Sequence, residues 1–134
     1  MTSLDGGRDR ETLYGATVLE HFRRPRNQRA LARPSVAREA YNPLCGDRVR
    51  LELEVDHETI SVAAFTANAC AICTASASLL TERVRGTSIE AALAVSDDDV
   101  VRALDADIPP ARLQCAVLPL RALRDALAQL SPSA

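Results

Sequence analysis

Between Arg48 and Val55 charged and apolar residues alternate without a break: Arg48, Arg50, Glu52 and Glu54 are interleaved with Val49, Leu51, Leu53 and Val55. Successive side chains of a strand point to opposite faces, so this run specifies a strand with one wet face and one dry face. "DHET" follows as a turn, and "ISVAAFTAN" returns with β-branched and aromatic residues. The pair predicts an antiparallel hairpin. Cys45 stands where the chain enters this hairpin and Cys70 where it leaves. Two paired strands flanked by thiols can bring those thiols together.

The remaining elements follow from helical spacing and from punctuation. "LYGATVLEHF" places Leu13, Val18, Leu19 and Phe22 on one stripe that ends before Pro25. Residues 26 to 42 show no clear period and are expected to form a loop with room for one short strand. After Cys70, "TASASLLTERVR" predicts a helix stopped by Gly86. "SIEAALAV" and "DDDVVRAL" supply two short helices, the first capped by Ser88 and the second opening on Asp97, Asp98 and Asp99, which complement the helix dipole. In the closing helix Leu120, Leu123, Leu127 and Leu130 share a face, and Pro119 is expected in its first turn. That puts Cys115 just ahead of the helix or at its start. Residues 1–10 and 131–134 are expected to be disordered around a single domain spanning 11–130.

Composition excludes several function classes. Only Tyr14, Phe22, Tyr41 and Phe65 are aromatic, so platforms for stacking nucleobases are scarce. Net charge is −2 with both signs interspersed, and the one cationic cluster, "RRPRNQR", suits the end of a first helix. Nucleic acid is not an expected partner. No stretch approaches the roughly 20 apolar residues that span a bilayer, and the first residues carry no apolar run. A cytoplasmic location without membrane contact is expected, and there four cysteines point to metal or sulfur chemistry before structural disulfides.

Thiols at helix N-termini lose protons more easily, which marks Cys70 and Cys115 as activated. In "NPLCGD", Gly46 lets the chain turn so that Cys45 and Asp47 point the same way. Cys45, Asp47, Cys70 and Cys115 together offer three soft sulfurs and one hard oxygen, a set able to hold Zn²⁺ in a tetrahedron or iron in a cluster. The oxygen is the more exchangeable ligand, which suits loading and release. Cys70-x-x-Cys73 adds a second possibility, because this spacing serves disulfide exchange as well as metal binding.

"EHFRRPRN", "NPLCGD", "CAICTASASLLTERVRG" and "IPPARLQCAVLPLRAL" resemble, in order and spacing, the successive motifs of the NifU-like iron–sulfur cluster assembly scaffolds, which include the IscU and SufU branches. The resemblance runs from about residue 13 to residue 130. It implies a compact α/β (α+β) domain, a small antiparallel β-sheet with helices packed on one face and ligands at one exposed end. It implies further that Cys45, Asp47, Cys70 and Cys115 bind zinc or hold a nascent [2Fe–2S] cluster. The thiolates Cys45, Cys70 and Cys115 would accept persulfide sulfur from a cysteine desulfurase, and the product would pass to recipient apo iron–sulfur proteins. Such a chain is a non-enzymatic scaffold or a zinc-dependent sulfurtransferase. Ile108–Arg112 resembles the loop that an Hsp70-type chaperone recognises, with Ala111 and Arg112 replacing its last two residues.

The chain departs from the family pattern at Gln114, where a histidine or a basic residue is usual, and at Ala69, where a glycine is common. The 45-residue step from Cys70 to Cys115 lacks the insertion usual in the SufU branch. Cys73 also occupies a position that is usually small and non-thiol; its plain reading is a buried packing residue, its sharper one a spare sulfur acceptor or alternative ligand. His21 and His57 have no cysteine near them in sequence and are not expected to ligate. Leu4, Leu13 and Tyr14 offer an apolar edge for a partner, or core packing. Two functions compete with the scaffold: a thiol–disulfide oxidoreductase using Cys70 and Cys73, and a zinc-stabilised interaction domain.

Overall fold

The computed structural model describes residues 15–130; the expectations for residues 1–10 and 131–134, and for Leu4, Leu13 and Tyr14, lie outside the described residues. The described residues open with helix α1 over 15–23. Three strands follow, β1 (Val36–Asn42), β2 (Asp47–Asp56) and β3 (Thr59–Asn68). Helices α2 (Ala71–Val84), α3 (Ile89–Leu93), α4 (Asp97–Ala103) and α5 (Leu113–Leu130) complete the fold, with a 3₁₀ turn at Pro110–Arg112.

The alternating run is the central strand of an antiparallel sheet ordered β1-β2-β3. Leu51 lies between Arg38 and Phe65, and Leu53 between Val36 and Ala63. Val49, Leu51, Leu53, Ala63 and Phe65 are wholly buried on one face. There α5 lies against β1 and β2, and α2 against β3 and α5. The expected layer of helices on one side of a small sheet is what the chain builds.

Residues 26–42 do more than the expected loop. Phe65 N–H donates to the Asn27 carbonyl and Arg29 N–H to the Phe65 carbonyl, both at 2.9 Å, so this segment first pairs with the outer edge of β3. It then crosses the second face of the sheet, where Leu31 N–H donates to Glu52 Oε1 at 2.7 Å. Finally it returns as β1 on the far side of β2. One sheet edge is thereby covered, which removes a template for pairing with another chain. Glu52, expected on the wet face, is buried beneath this strap and holds Arg50 Nε at 2.8 Å.

Helix α2 is packed on nearly every side, which explains its lack of an apolar stripe. Small residues let its neighbours approach, and its buried hydroxyls are bonded: Ser76 Oγ donates to the Ala116 carbonyl at 2.6 Å and Thr81 Oγ1 to the Ala77 carbonyl at 2.9 Å. It ends as expected at Gly86, whose φ of +85° favours glycine. Ser88 caps α3 through Ala91 N–H, and Ser96 forms a reciprocal capping box with Asp99 on α4.

Pro119 corrects the expectation for α5. It lies inside the helix rather than in its first turn. Having no N–H, it cannot donate to the carbonyl four residues back, that of Cys115. The Ser76 hydroxyl of α2 donates to the neighbouring carbonyl, that of Ala116, and so ties this turn of α5 to α2.

Candidate metal centre

The β1–β2 connection is built around Asn42. Its Oδ1 accepts Leu44 N–H at 3.0 Å, and its carbonyl accepts Gly46 N–H at 2.8 Å. Gly46 has a φ of +79° with nothing within 4 Å of a would-be Cβ, so backbone conformation rather than space selects glycine there. This turn presents Cys45 to solvent with its Sγ 4.0 Å from the Asn42 carbonyl. Asp47 comes two residues before Val49, which sends its carboxylate to the helix side of the sheet. There it is 5 % exposed.

Helices α2 and α5 bring the other thiols. Cys70 is the N-cap residue of α2, half-buried, and its N–H donates to Asp47 Oδ1 at 3.1 Å. Cys115 lies in the first turn of α5, 1 % exposed. Its Sγ stands 3.4 Å from that of Cys45. Ligand atoms of Cys45, Asp47 and Cys115 all fall within 4.8 Å of one another. The Cys70 thiol is not part of that set; Cys70 is tied to the same carboxylate through its backbone.

Asp47 Oδ2 is buried with no hydrogen-bond partner, the one such side-chain atom among the described residues. An unpaired buried carboxylate oxygen is costly unless a cation neutralises it. Two thiolates on one tetrahedral zinc stand about 3.8 Å apart, given bonds of about 2.3 Å. The spacing of Cys45 and Cys115 and the open oxygen therefore fit a thiophilic metal ion.

Burial, followed by contacts with Cys45 and Asp47, pushes the Cys115 thiol well above its ordinary range. This reverses the expected activation of Cys115 by the helix terminus. Cys73 is pushed up in the same way, first by burial and then by Asp47. Proton loss from Cys115 would accompany metal capture, because a bound cation inverts this local balance.

Other candidates lie elsewhere. His21 is buried with Nδ1 2.7 Å from Ser78 Oγ, which also accepts Arg26 N–H at 2.8 Å, and its pKa is lowered by burial and then by Arg26. His57 sits exposed in the β2–β3 turn beside Asp56. Gln114 points away to a hydrogen bond from Arg121. Cys73 is wholly buried among the residues of the core. The side-chain role of Asn42 escaped sequence reading, although an asparagine accepting the N–H two residues on is a known turn device. Leu44, 92 % exposed, stands beside Cys45 in the turn, and half-exposed Leu113 precedes Cys115 by two residues, whereas Tyr41 lies under Arg48 on the other face of the sheet.

An α+β domain that gathers two thiols and an unpaired carboxylate at one end of its sheet defines a small domain with a cluster able to hold a metal ion. The chain belongs to the family of the NifU-like N terminal domain, whose model matches residues 13–132. It is 34% identical to the zinc-dependent sulfurtransferase SufU of Bacillus subtilis (strain 168) over 89% of this chain and 92% of that one. It is 34% identical to the iron-sulfur cluster assembly scaffold protein IscU of Rickettsia prowazekii (strain Madrid E), over 86% of this chain and 89% of that one. Its fold matches the crystal structure of a SUF-system scaffold from Fervidobacterium Islandicum AW-1 with a TM-score of 0.74 at 20% identity, covering 87% of this chain and 98% of that one.

Proposed function

We propose that this chain is an iron–sulfur cluster assembly scaffold and sulfur acceptor, with Cys45, Asp47, Cys70 and Cys115 as its ligands. The observation that carries this reading is the unpartnered buried oxygen of Asp47 beside the Cys45–Cys115 sulfur pair. Cys70 joins as fourth ligand by rotation of its side chain while its N–H keeps the Asp47 bond. A bound zinc ion or [2Fe–2S] cluster supplies a soft centre that holds sulfur in reactive form. Asp47 is the exchangeable ligand of the set, and exposed Cys45 is the sulfur that incoming groups reach first.

The reading extends to partners. A cysteine desulfurase supplies persulfide sulfur in the cytoplasm, recipient apo-proteins take the product, and an Hsp70-type chaperone binds Ile108–Arg112. That segment ends in an exposed 3₁₀ turn, which suits recognition. Among the described residues no helix is long and apolar enough to cross a membrane. The oxidoreductase alternative, as the chain's main activity, lacks the support of a βαβ unit among the described residues, where β1, β2 and β3 pair only antiparallel.

The test combines metal analysis with sulfur transfer. Purified chain should take up one equivalent of zinc or, with ferrous iron and a sulfide source, develop a visible chromophore. Asp47→Ala and Cys45→Ala should abolish tight uptake. A desulfurase should place persulfide on a ligand cysteine. Failure of wild type to bind metal or accept sulfur ends the proposal.

A further inference from the structure

The start of α2 holds a thiol that the metal centre leaves unused. Cys73 is free and wholly buried, in the same apolar cluster as Cys115, with Cys70 packed against that cluster. Thr74 N–H donates to the Cys70 carbonyl at 2.9 Å, which closes the first turn and sets Cys73 one turn along from Cys70. Side chains three apart on a helix are neighbours, with Cβ atoms about 5–6 Å apart, whereas a disulfide needs about 3.5–4.5 Å. Cys70 is the N-cap residue, with extended backbone (φ −70°, ψ 170°), so the step requires this terminal residue to close by about 1–2 Å toward Cys73. An accessible thiol with a second thiol beside it is the arrangement in which a captured group is released by internal exchange.

We infer that Cys73 resolves a persulfide carried on Cys70, releasing its outer sulfur as sulfide. The inference rests on the sulfur-acceptor reading above. Cys73 Sγ attacks Cys70 Sγ; the bond between those sulfurs forms as the bond from Cys70 Sγ to the outer sulfur breaks. The outer sulfur leaves with the electron pair and takes the Cys73 proton as HS⁻. Sulfane sulfur is thereby reduced to sulfide, and the two cysteines end as a disulfide. No outside reductant enters that step. A protein or small-molecule dithiol then reduces the disulfide and resets the pair. Cluster assembly consumes sulfide while a desulfurase delivers sulfane sulfur, so Cys73 supplies the missing reducing equivalents within the chain. Complete burial keeps Cys73 protonated and away from solvent oxidants, so its proton is given up only during the attack, to the departing sulfur.

The experiment loads the full reduced chain in two arms, one with a cysteine desulfurase and cysteine and the other with inorganic polysulfide, and both are desalted to remove free cysteine or polysulfide before the reaction is followed. Sulfide release is followed without added thiol, and peptide mass spectrometry locates persulfide and disulfide. Wild type should release sulfide as its persulfide disappears and a Cys70–Cys73 disulfide forms. Cys73→Ala, which keeps the buried position apolar, should retain its persulfide and release sulfide at least about tenfold more slowly, because the intramolecular attacker is gone. Cys73→Ser, compared by circular dichroism for intact folding, should behave alike. Equal persulfide lifetimes in wild type and Cys73→Ala overturn the inference, as does a disulfide mapped to Cys45 and Cys115 with Cys73 still reduced. If the desulfurase cannot load the chain, the acceptor reading fails, and the polysulfide arm still decides the role of Cys73.

Discussion

Asp47 is the residue at which stability and use conflict. One carboxylate oxygen accepts Cys70 N–H while the other is buried without a partner. Asp47→Asn keeps an acceptor for Cys70 and removes the uncompensated charge. The metal-free variant should therefore be as stable as wild type or up to about 2 kcal/mol more stable in urea melts with chelator, while metal affinity falls at least about tenfold. Asn42 acts one step back, through the turn that holds Cys45. Asn42→Ala should weaken metal binding about tenfold, with about 1 kcal/mol lost from folding, and Asn42→Asp should restore most of the affinity by keeping the acceptor oxygen. Competition with a chromogenic chelator measures both. Cys45, Asp47 and Cys115 were legible as a group because thiol and carboxylate chemistry shows in residue type. The supporting turn was not, because an asparagine before a proline has several uses, and only the fold shows which one applies.

At the scale of elements, the strap formed by residues 27–31 depends on one carboxylate. Burial pushes the Glu52 pKa up, but the Leu31 N–H and Arg50 together outweigh it, and the net pKa lies below the ordinary carboxylate range. A group lowered in the folded state stabilises above its unfolded pKa and loses that contribution as pH falls through its folded pKa. Wild type should thus exceed Glu52→Gln in unfolding free energy at neutral pH, and the gap should close in acid. Urea titrations across pH check the sign, and faster amide exchange at Leu31 in the variant would place the effect in the strap. The β2–β3 hairpin was legible because alternation survives wherever one sheet face is dry. Strand β1 was legible only as room for one short strand within residues 26–42, because in "VAREAYN" only its end residues, Val36 and Asn42, are buried, so no alternation develops. Pro119 misled because proline rules describe an isolated helix, and here packing against β1, β2 and α2 holds α5, with Ser76 of α2 a hydroxyl donor to it. Ser76→Ala removes that donor from the buried Ala116 carbonyl and should cost about 1–3 kcal/mol, read from thermal or urea unfolding.

For the whole molecule, the centre links parts of the chain that secondary structure alone does not join. Cys45 belongs to the turn between β1 and β2, Cys70 to the start of α2 and Cys115 to the start of α5. Each is positioned by a separate set of contacts: the Asn42 turn, the Asp47 hydrogen bond and the packing of α5 over the sheet. A metal ion held by all three ties the sheet and both main helices together only in the folded state. Binding should therefore stabilise the entire fold by mass action, by about 2.7 kcal/mol when free zinc is one hundred times its dissociation constant. The dependence of unfolding free energy on urea concentration should keep its slope, because the surface exposed on unfolding is nearly the same with or without the ion. Chelation should lower Tm while far-ultraviolet circular dichroism stays folded at room temperature, since the apolar core of Leu51, Leu53, Phe65, Leu118 and Leu123 is complete without metal. A chain that lost its secondary structure on chelation would instead be a zinc-stabilised domain, and its ligands would have to be counted as part of the core rather than as a site for loading and release.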